Sequence, residues 1–187
     1  MQKKFLHLLF FISFFFVGCS REETTVQIIR TPIISFNFNG NSSWKADSYS
    51  FAPVTKVVVY PRDTTQASQL FNRFTLQGVG KDNTGNTYQL IITFDAVDVN
   101  QLVGVYSPFY TAQRGLSQVQ LFNLTNSNTL SAYNLCNGNI ANEILQIQKQ
   151  SSDERLITCS FQMTLCNARD STQKIIITDG LLKDINY

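Results

Sequence analysis

Three consecutive stretches decide the fold: Arg73-Phe74-Thr75-Leu76-Gln77-Gly78-Val79, then Asp82-Asn83-Thr84-Gly85-Asn86, then Thr87-Tyr88-Gln89-Leu90-Ile91-Ile92-Thr93-Phe94. The outer two alternate in character with a period of two, which sends successive side chains to opposite faces of a strand. The middle one is Asp, Asn, Thr and Gly, the chemistry of a tight turn. Together they predict an antiparallel hairpin.

The same grammar recurs outward in both directions. Ile34-Ser35-Phe36-Asn37-Phe38 alternates and runs into Asn39-Gly40, a pair suited to positive φ in a tight turn. Trp44-Lys45-Ala46 begins the return, and Val57-Val58-Val59-Tyr60 stops at Pro61. Gly104-Val105-Tyr106 precedes Pro108, and Gln118-Val119-Gln120-Leu121-Phe122 alternates again. Residues 143–149 and 156–165 flank Ser151-Ser152-Asp153-Glu154 as a second hairpin. Residues 174–178 are β-branched, and Asp179-Gly180, where a bulge would bend the chain, separates them from a last strand over 181–187. Short strands at this spacing, without long helical periodicity, predict an all-β chain: an antiparallel β-sandwich, with a calycin-like β-barrel as the alternative. One short helical segment is expected over residues 65–71.

The N-terminus reads differently. Lys3 and Lys4 open a positive segment, residues 5–17 are almost wholly apolar, and Gly18-Cys19 gives way to Ser20-Arg21-Glu22-Glu23. A run this short suits a signal peptide better than a spanning helix, which needs about 20 apolar residues. Its end resembles a bacterial lipobox, where the Cys is diacylated and becomes the new N-terminus. The expected organisation is therefore a signal peptide over 1–18, a lipid-anchored tether over 19–34 attached through Cys19, and a single β domain over 35–187. Within the tether, Val26-Gln27-Ile28-Ile29 could alternatively pair as an edge strand.

Composition narrows the chemistry. The chain of 187 residues is 43% hydrophobic and 15% charged, which excludes a disordered tail. Removing Lys3 and Lys4 leaves 13 Lys and Arg against 13 Asp and Glu. No basic run suggests nucleic acid. His7 is the only histidine and leaves with the signal. Histidine-based nucleophile systems, His-containing zinc sites and a neutral-pH imidazole switch are then excluded from the mature chain.

Across Asn39-Gly40, Trp44, Ala46, Gly104-Val105-Tyr106, Ile177-Thr178-Asp179-Gly180 and the terminal Tyr187, the chain resembles a family of uncharacterised Bacteroidota lipoproteins. The resemblance implies a β-rich domain and no known activity. Ser20-Arg21-Glu22-Glu23 also resembles the acid-rich signal that exports some lipoproteins of these bacteria to the cell surface. Asp63-Thr64-Thr65 and Asp170-Ser171-Thr172 resemble their O-glycosylation sites, though both also read as turns.

Candidate residues follow. Three cysteines remain after lipidation, so at most one internal bridge forms. With the hairpin turning at residues 151–154, Cys166 lies opposite Asn139 and Cys159 opposite Gln146, so Cys136–Cys166 is the feasible pair; three free thiols are the alternative. Asp95 and Asp98 are the local candidates for a hydrolase pair or a calcium site, against plain solvated loop acids. Asp82-Asn83-Thr84-Gly85-Asn86 could also hold calcium, against plain hairpin chemistry. Trp44, Tyr106, Phe109 and Tyr110 could form a ligand-binding aromatic surface, or fill the core. No catalytic residue, cofactor or metal is assigned. The expected function is a non-enzymatic binding or scaffolding module in the cell envelope, at the outer membrane. The alternatives are a carrier of a small apolar ligand and, third, a carboxylate-dependent hydrolase. The expected partners are the membrane, through acyl chains on Cys19, and a protein or glycan.

Overall fold

A computed structural model describes residues 30–40, 42–59, 68–125, 131–136 and 143–187. The signal peptide, Cys19, most of the tether, and Asp63-Thr64-Thr65 lie outside the described residues. The described chain holds eleven strands and no helix: β1 (Ile33–Phe38), β2 (Ser42–Phe51), β3 (Thr55–Val59), β4 (Gln69–Asp82), β5 (Thr87–Ala96), β6 (Gly104–Tyr106), β7 (Arg114–Asn123), β8 (Ser131–Leu135), β9 (Ile144–Ser151), β10 (Leu156–Asn167) and β11 (Lys174–Asn186). Of the expected helical segment, residues 65–67 lie outside the described residues, and Gln69, Leu70 and Phe71 are strand instead, opening β4 paired with β3. Ile33 and Ile34, at the end of the segment read as a tether, belong to β1.

The hairpin that decides the fold is β4–β5, with Lys81 facing Thr87 and the ladder unbroken to Asn72 and Ala96. From it the sheet runs β1, β2, β4, β5, β7, β8, β10, β11, and β1 pairs β11 again. The pairing is antiparallel throughout, so eight strands close into a barrel. This corrects the sandwich: one wall encloses one core, and among the described residues no second sheet faces it. Period-two alternation is the same in both architectures. What separates them is the long-range ladder of β11 against both β1 and β10. Closure pairs both edges of those eight strands and leaves the short strands β3 and β6 at the edges. The wall forks beside β10, which pairs β9 along its first half and β8 near its end. β6 extends the β9 side.

Alternation then sorts the side chains. Ile34, Phe36 and Phe38 of β1 point inward, as do Phe74 and Leu76 of β4 and Leu90, Ile92 and Phe94 of β5, all buried. Phe36 stacks on Trp44 at 4.8 Å between ring centroids, and Phe161 meets Phe36 edge-on at 6.1 Å. Phe74 lies parallel to Phe94 at 5.0 Å, and Tyr106 meets Phe94 edge-on at 5.1 Å. These rings, with Cys159, Met163, Leu165, Ile177, Leu182 and Ile185, belong to one buried core cluster within the barrel.

Turns obey local chemistry. Asn39 and Gly40 adopt positive φ, 51° and 74°. At the last bend the residue with positive φ is Asp179, at 51°, rather than Gly180. Gly180 serves space instead, since a Cβ there would lie 2.4 Å from the Phe161 carbonyl oxygen. β11 thus continues through the irregularity as one strand, where the sequence suggested two.

Candidate functional site

The aromatic residues singled out from the sequence do not assemble into one surface. Trp44 is 1% exposed, on β2, within the core. Its Nε1 is buried and has no hydrogen-bond partner. Tyr106 is wholly buried, donates its hydroxyl to the Leu102 carbonyl at 2.8 Å, and lies under the Arg114 guanidinium at 5.6 Å. Burial pushes its phenol well above the usual range. Phe109 alone presents its ring to solvent, 54% exposed.

Tyr110 belongs to a polar cluster on the outer face of the barrel. Asp95, fully buried, accepts two hydrogen bonds from Arg73, from Nε at 2.9 Å and from Nη2 at 2.8 Å. The same Nη2 donates to Ser117 Oγ at 2.9 Å. Tyr110 donates a short hydrogen bond to Asp95 Oδ2. The Tyr110 ring rests over Gly115, where a Cβ would come within 2.5 Å of it, and meets the Phe71 ring edge-on at 5.6 Å. Burial first, and the bond to Asp95 second, push the Tyr110 phenol up to about 12. The Arg73 guanidinium is raised, chiefly by its hydrogen bond to Asp95. The cluster fastens the segment between β6 and β7 onto the wall at β4, β5 and β7.

The two candidate carboxylates are therefore differently engaged. Asp95 is saturated by Arg73 and Tyr110. Asp98 sits in the following turn and accepts the Asn100 backbone N–H at 2.8 Å. Asp82 is likewise turned onto its own hairpin, where Oδ1 accepts Thr84 N, Thr84 Oγ1 and Asn86 N, and Oδ2 accepts Asn86 Nδ2. Burial pushes its carboxyl up, but these bonds outweigh it and hold the group below the usual carboxylate range. Among the described residues, no three His, Cys, Asp or Glu side chains gather as metal ligands.

An open cleft of about 460 Å³ crosses β11, β1 and β2 at the end of β4. Asn37, Lys45, Lys81, Asp82, Asn83 and Asp179 contribute to its lining. Asp179 accepts a hydrogen bond from Asn37 Nδ2 at 3.1 Å and borders an adjoining cleft of about 330 Å³ with Gln146, Ser160 and Gln162. Ammonium, carboxylate, amide and hydroxyl groups together suit a polar ligand with both donors and acceptors.

Cys136 and Cys166 form a disulfide, with S–S 2.05 Å and Cα–Cα 5.0 Å, which ties the chain after β8 to the end of β10. Cys159 is a free, buried thiol facing Ile147, one residue from the sequence register: the hairpin opens with Leu156 facing Ser151, two residues off that register, and the ladder shift beside Cys159 recovers one. Burial pushes that thiol well up, so it is a packing residue and a poor nucleophile.

Sequence reasoning did not single out Arg73, Ser117 or Lys45, and it read Asp179 with Gly180 only as a bulge that bends the last strand. For Arg73 a signal existed: once Lys81 faces Thr87, the ladder places Arg73 against Asp95. Compared with protein-family profiles, curated proteins and solved structures, the chain matches none of them.

Proposed function

We propose that this chain is a lipid-anchored, non-enzymatic binding module of the bacterial cell envelope, and that it belongs with the Bacteroidota lipoproteins it resembles. Acyl chains on Cys19 hold it in the outer membrane. The barrel acts as a solid scaffold that presents a ligand or partner site on its outer wall. The observation that carries this reading is the interior: the inward positions are occupied by the protein's own aromatic and aliphatic side chains, packed ring against ring. Recognition then falls to the outer clefts beside Asp179. The separate engagement of Asp95 and Asp98 supports binding over hydrolysis.

A second reading, the carrier of a small apolar ligand, draws on two observations. The wall closes around a single interior, and the buried indole N–H of Trp44 is an unused donor. Titration of the acylated protein in detergent with N-phenyl-1-naphthylamine separates the two. The scaffold reading expects no saturable fluorescence gain over the detergent background. Saturable 1:1 uptake that fatty acid displaces would establish the carrier. In cells, a photo-crosslinker at Lys45 tests the cleft directly: a discrete adduct that Asp179→Ala abolishes is expected, and identical profiles with and without Asp179 would refute the site.

A further inference from the structure

We propose that the end of the barrel at which the chain enters is a lipid-contact surface, resting on the bilayer leaflet that holds the acylated Cys19. This rests on the reading of Cys19 as the anchor. Strand direction defines the two ends. β1 begins at Ile33 beside the last residues of β11, and the same end carries the start of β4, the end of β5, the segment between β5 and β7, and the β9–β10 turn. The opposite end carries Asn39-Gly40, the turn after Asp82, and residues 168–173.

The apolar surface is distributed unequally between them. At the entry end Val58, Leu70, Val97, Val103 and Phe109 are 54%, 51%, 38%, 51% and 54% exposed. At the other end Ile176 is the exposed large apolar side chain among the described residues, and Tyr49 and Val105 are exposed along the wall between the ends. The five lie at the same end of the strands, on both faces of the wall. Val58 faces Leu70 across β3–β4. Asn72 Nδ2 donates to the Val97 carbonyl at 2.7 Å, and Val97 N donates to Gln113 O at 2.9 Å. Arg114 binds the Val103 carbonyl. Phe109 adjoins Tyr110, whose ring packs on Phe71, on the face of β4 opposite Leu70. Exposed apolar side chains gathered at one end in this way mark an interaction surface.

The length of chain before β1 selects the occupant. From Cys19 to Ile33 the chain spans about 50 Å at most, even fully extended. The entry end is therefore confined close to the leaflet, at an effective concentration on the order of millimolar. Under that confinement a contact too weak to recruit a free protein is enough to orient a tethered one. To present the opposite end instead, the tether would have to run back along a wall whose strands of about ten residues are roughly 33 Å long. The contact is one-sided. Asp153 and Glu154, exposed on the β9–β10 turn at the same end, stay in water, and the barrel leans on β3–β4 and the β5–β7 segment.

Lipid-depth quenching tests this on the full acylated chain. Phe109→Trp, Val103→Trp, Asp153→Trp and Ile176→Trp are each reconstituted into phosphatidylcholine vesicles with and without dibrominated acyl chains. The emission of Trp44, buried in the core, is subtracted using the parent protein and also reports folding. Severalfold quenching at positions 109 and 103, with none at 153 and 176, is expected. Equal quenching at all four positions, or none at any, in a protein that has incorporated would overturn the lipid contact while leaving the anchor intact. Failure to incorporate into vesicles at all would refute acylation at Cys19, and the contact with it.

Discussion

Removing the Trp44 ring in two steps separates its packing from its unsatisfied polar atom. The side chain is 1% exposed, stacks on Phe36 at 4.8 Å, and fills space that Gly78 leaves open, where a Cβ would come within 3.3 Å of the indole. Truncating an aromatic in such a site costs about 3–5 kcal/mol, as lost transfer energy plus cavity. A domain of this size loses about 2–4 °C of melting temperature per kcal/mol, so Trp44→Ala should melt about 6–20 °C lower. Trp44→Phe keeps a ring against Phe36 and deletes the Nε1 that lacks a partner. An unsatisfied buried donor costs about 1–3 kcal/mol, which offsets the smaller ring, so this variant should stay within about 1 kcal/mol of the parent. Circular dichroism melts and urea midpoints at constant slope read both. If Trp44→Phe is as damaging as Trp44→Ala, the N–H is bonded and the reasoning fails. If Trp44→Ala melts with the parent, the ring is not in the core.

Three further outcomes test other parts of the structure. The Cys136–Cys166 bridge spans 30 residues of sequence, so replacing both cysteines by Ala should cost about 3–4 kcal/mol by loop-closure entropy, read as a lower urea midpoint; an unchanged midpoint would show that the bridge constrains nothing. Asp95→Asn should lose about 1–3 kcal/mol from the broken pair with Arg73 and return the Tyr110 phenol from about 12 toward 10, visible as an earlier phenolate transition in ultraviolet titration against the parent; coincident titrations would place Tyr110 away from Asp95. Asp82 has its folded-state pKa depressed, so its contribution to stability is present above its unfolded value of 3.8 and lost as pH falls through the lower folded value. Acid melts of the parent should therefore lose more than those of Asp82→Asn below about pH 4, and parallel curves would remove the carboxylate from the hairpin.

The strands were legible because alternation and turn chemistry are local. Asn39-Gly40 adopts the positive φ its composition suggests, and Asp82 organises its own turn through Thr84 and Asn86. β8 was not legible: Ser131-Ala132-Tyr133-Asn134-Leu135 is half-buried along its length and carries no clean alternation. Closure was illegible for a different reason, since no local pattern states which strands β11 will pair. The candidate site shows the same division. Tyr106, Phe109 and Tyr110 are near neighbours in sequence, yet one is core, one is exposed, and one is drawn onto the outer wall. What separates them is the room above Gly115 and the buried carboxylate of Asp95, both supplied by other strands.

Closure also redistributes what the surface residues are free to do. In this barrel the inward aromatic and aliphatic positions form one buried core, and the charged and amide groups stand on outward positions, turns and bulges. Asp179 shows how. A left-handed backbone strains an aspartate less than a branched residue, yet still more than a glycine. Its carboxylate is held by Asn37 of the neighbouring strand and stands where the two outer clefts meet. The next residue, Gly180, allows that geometry because the Phe161 carbonyl and ring occupy the space a side chain would need. The irregularity that lets β11 follow the barrel's curvature thus also lifts one charged group out of the regular pleat. The bend in the wall and the most distinctive polar group on its outer surface arise from the same two residues.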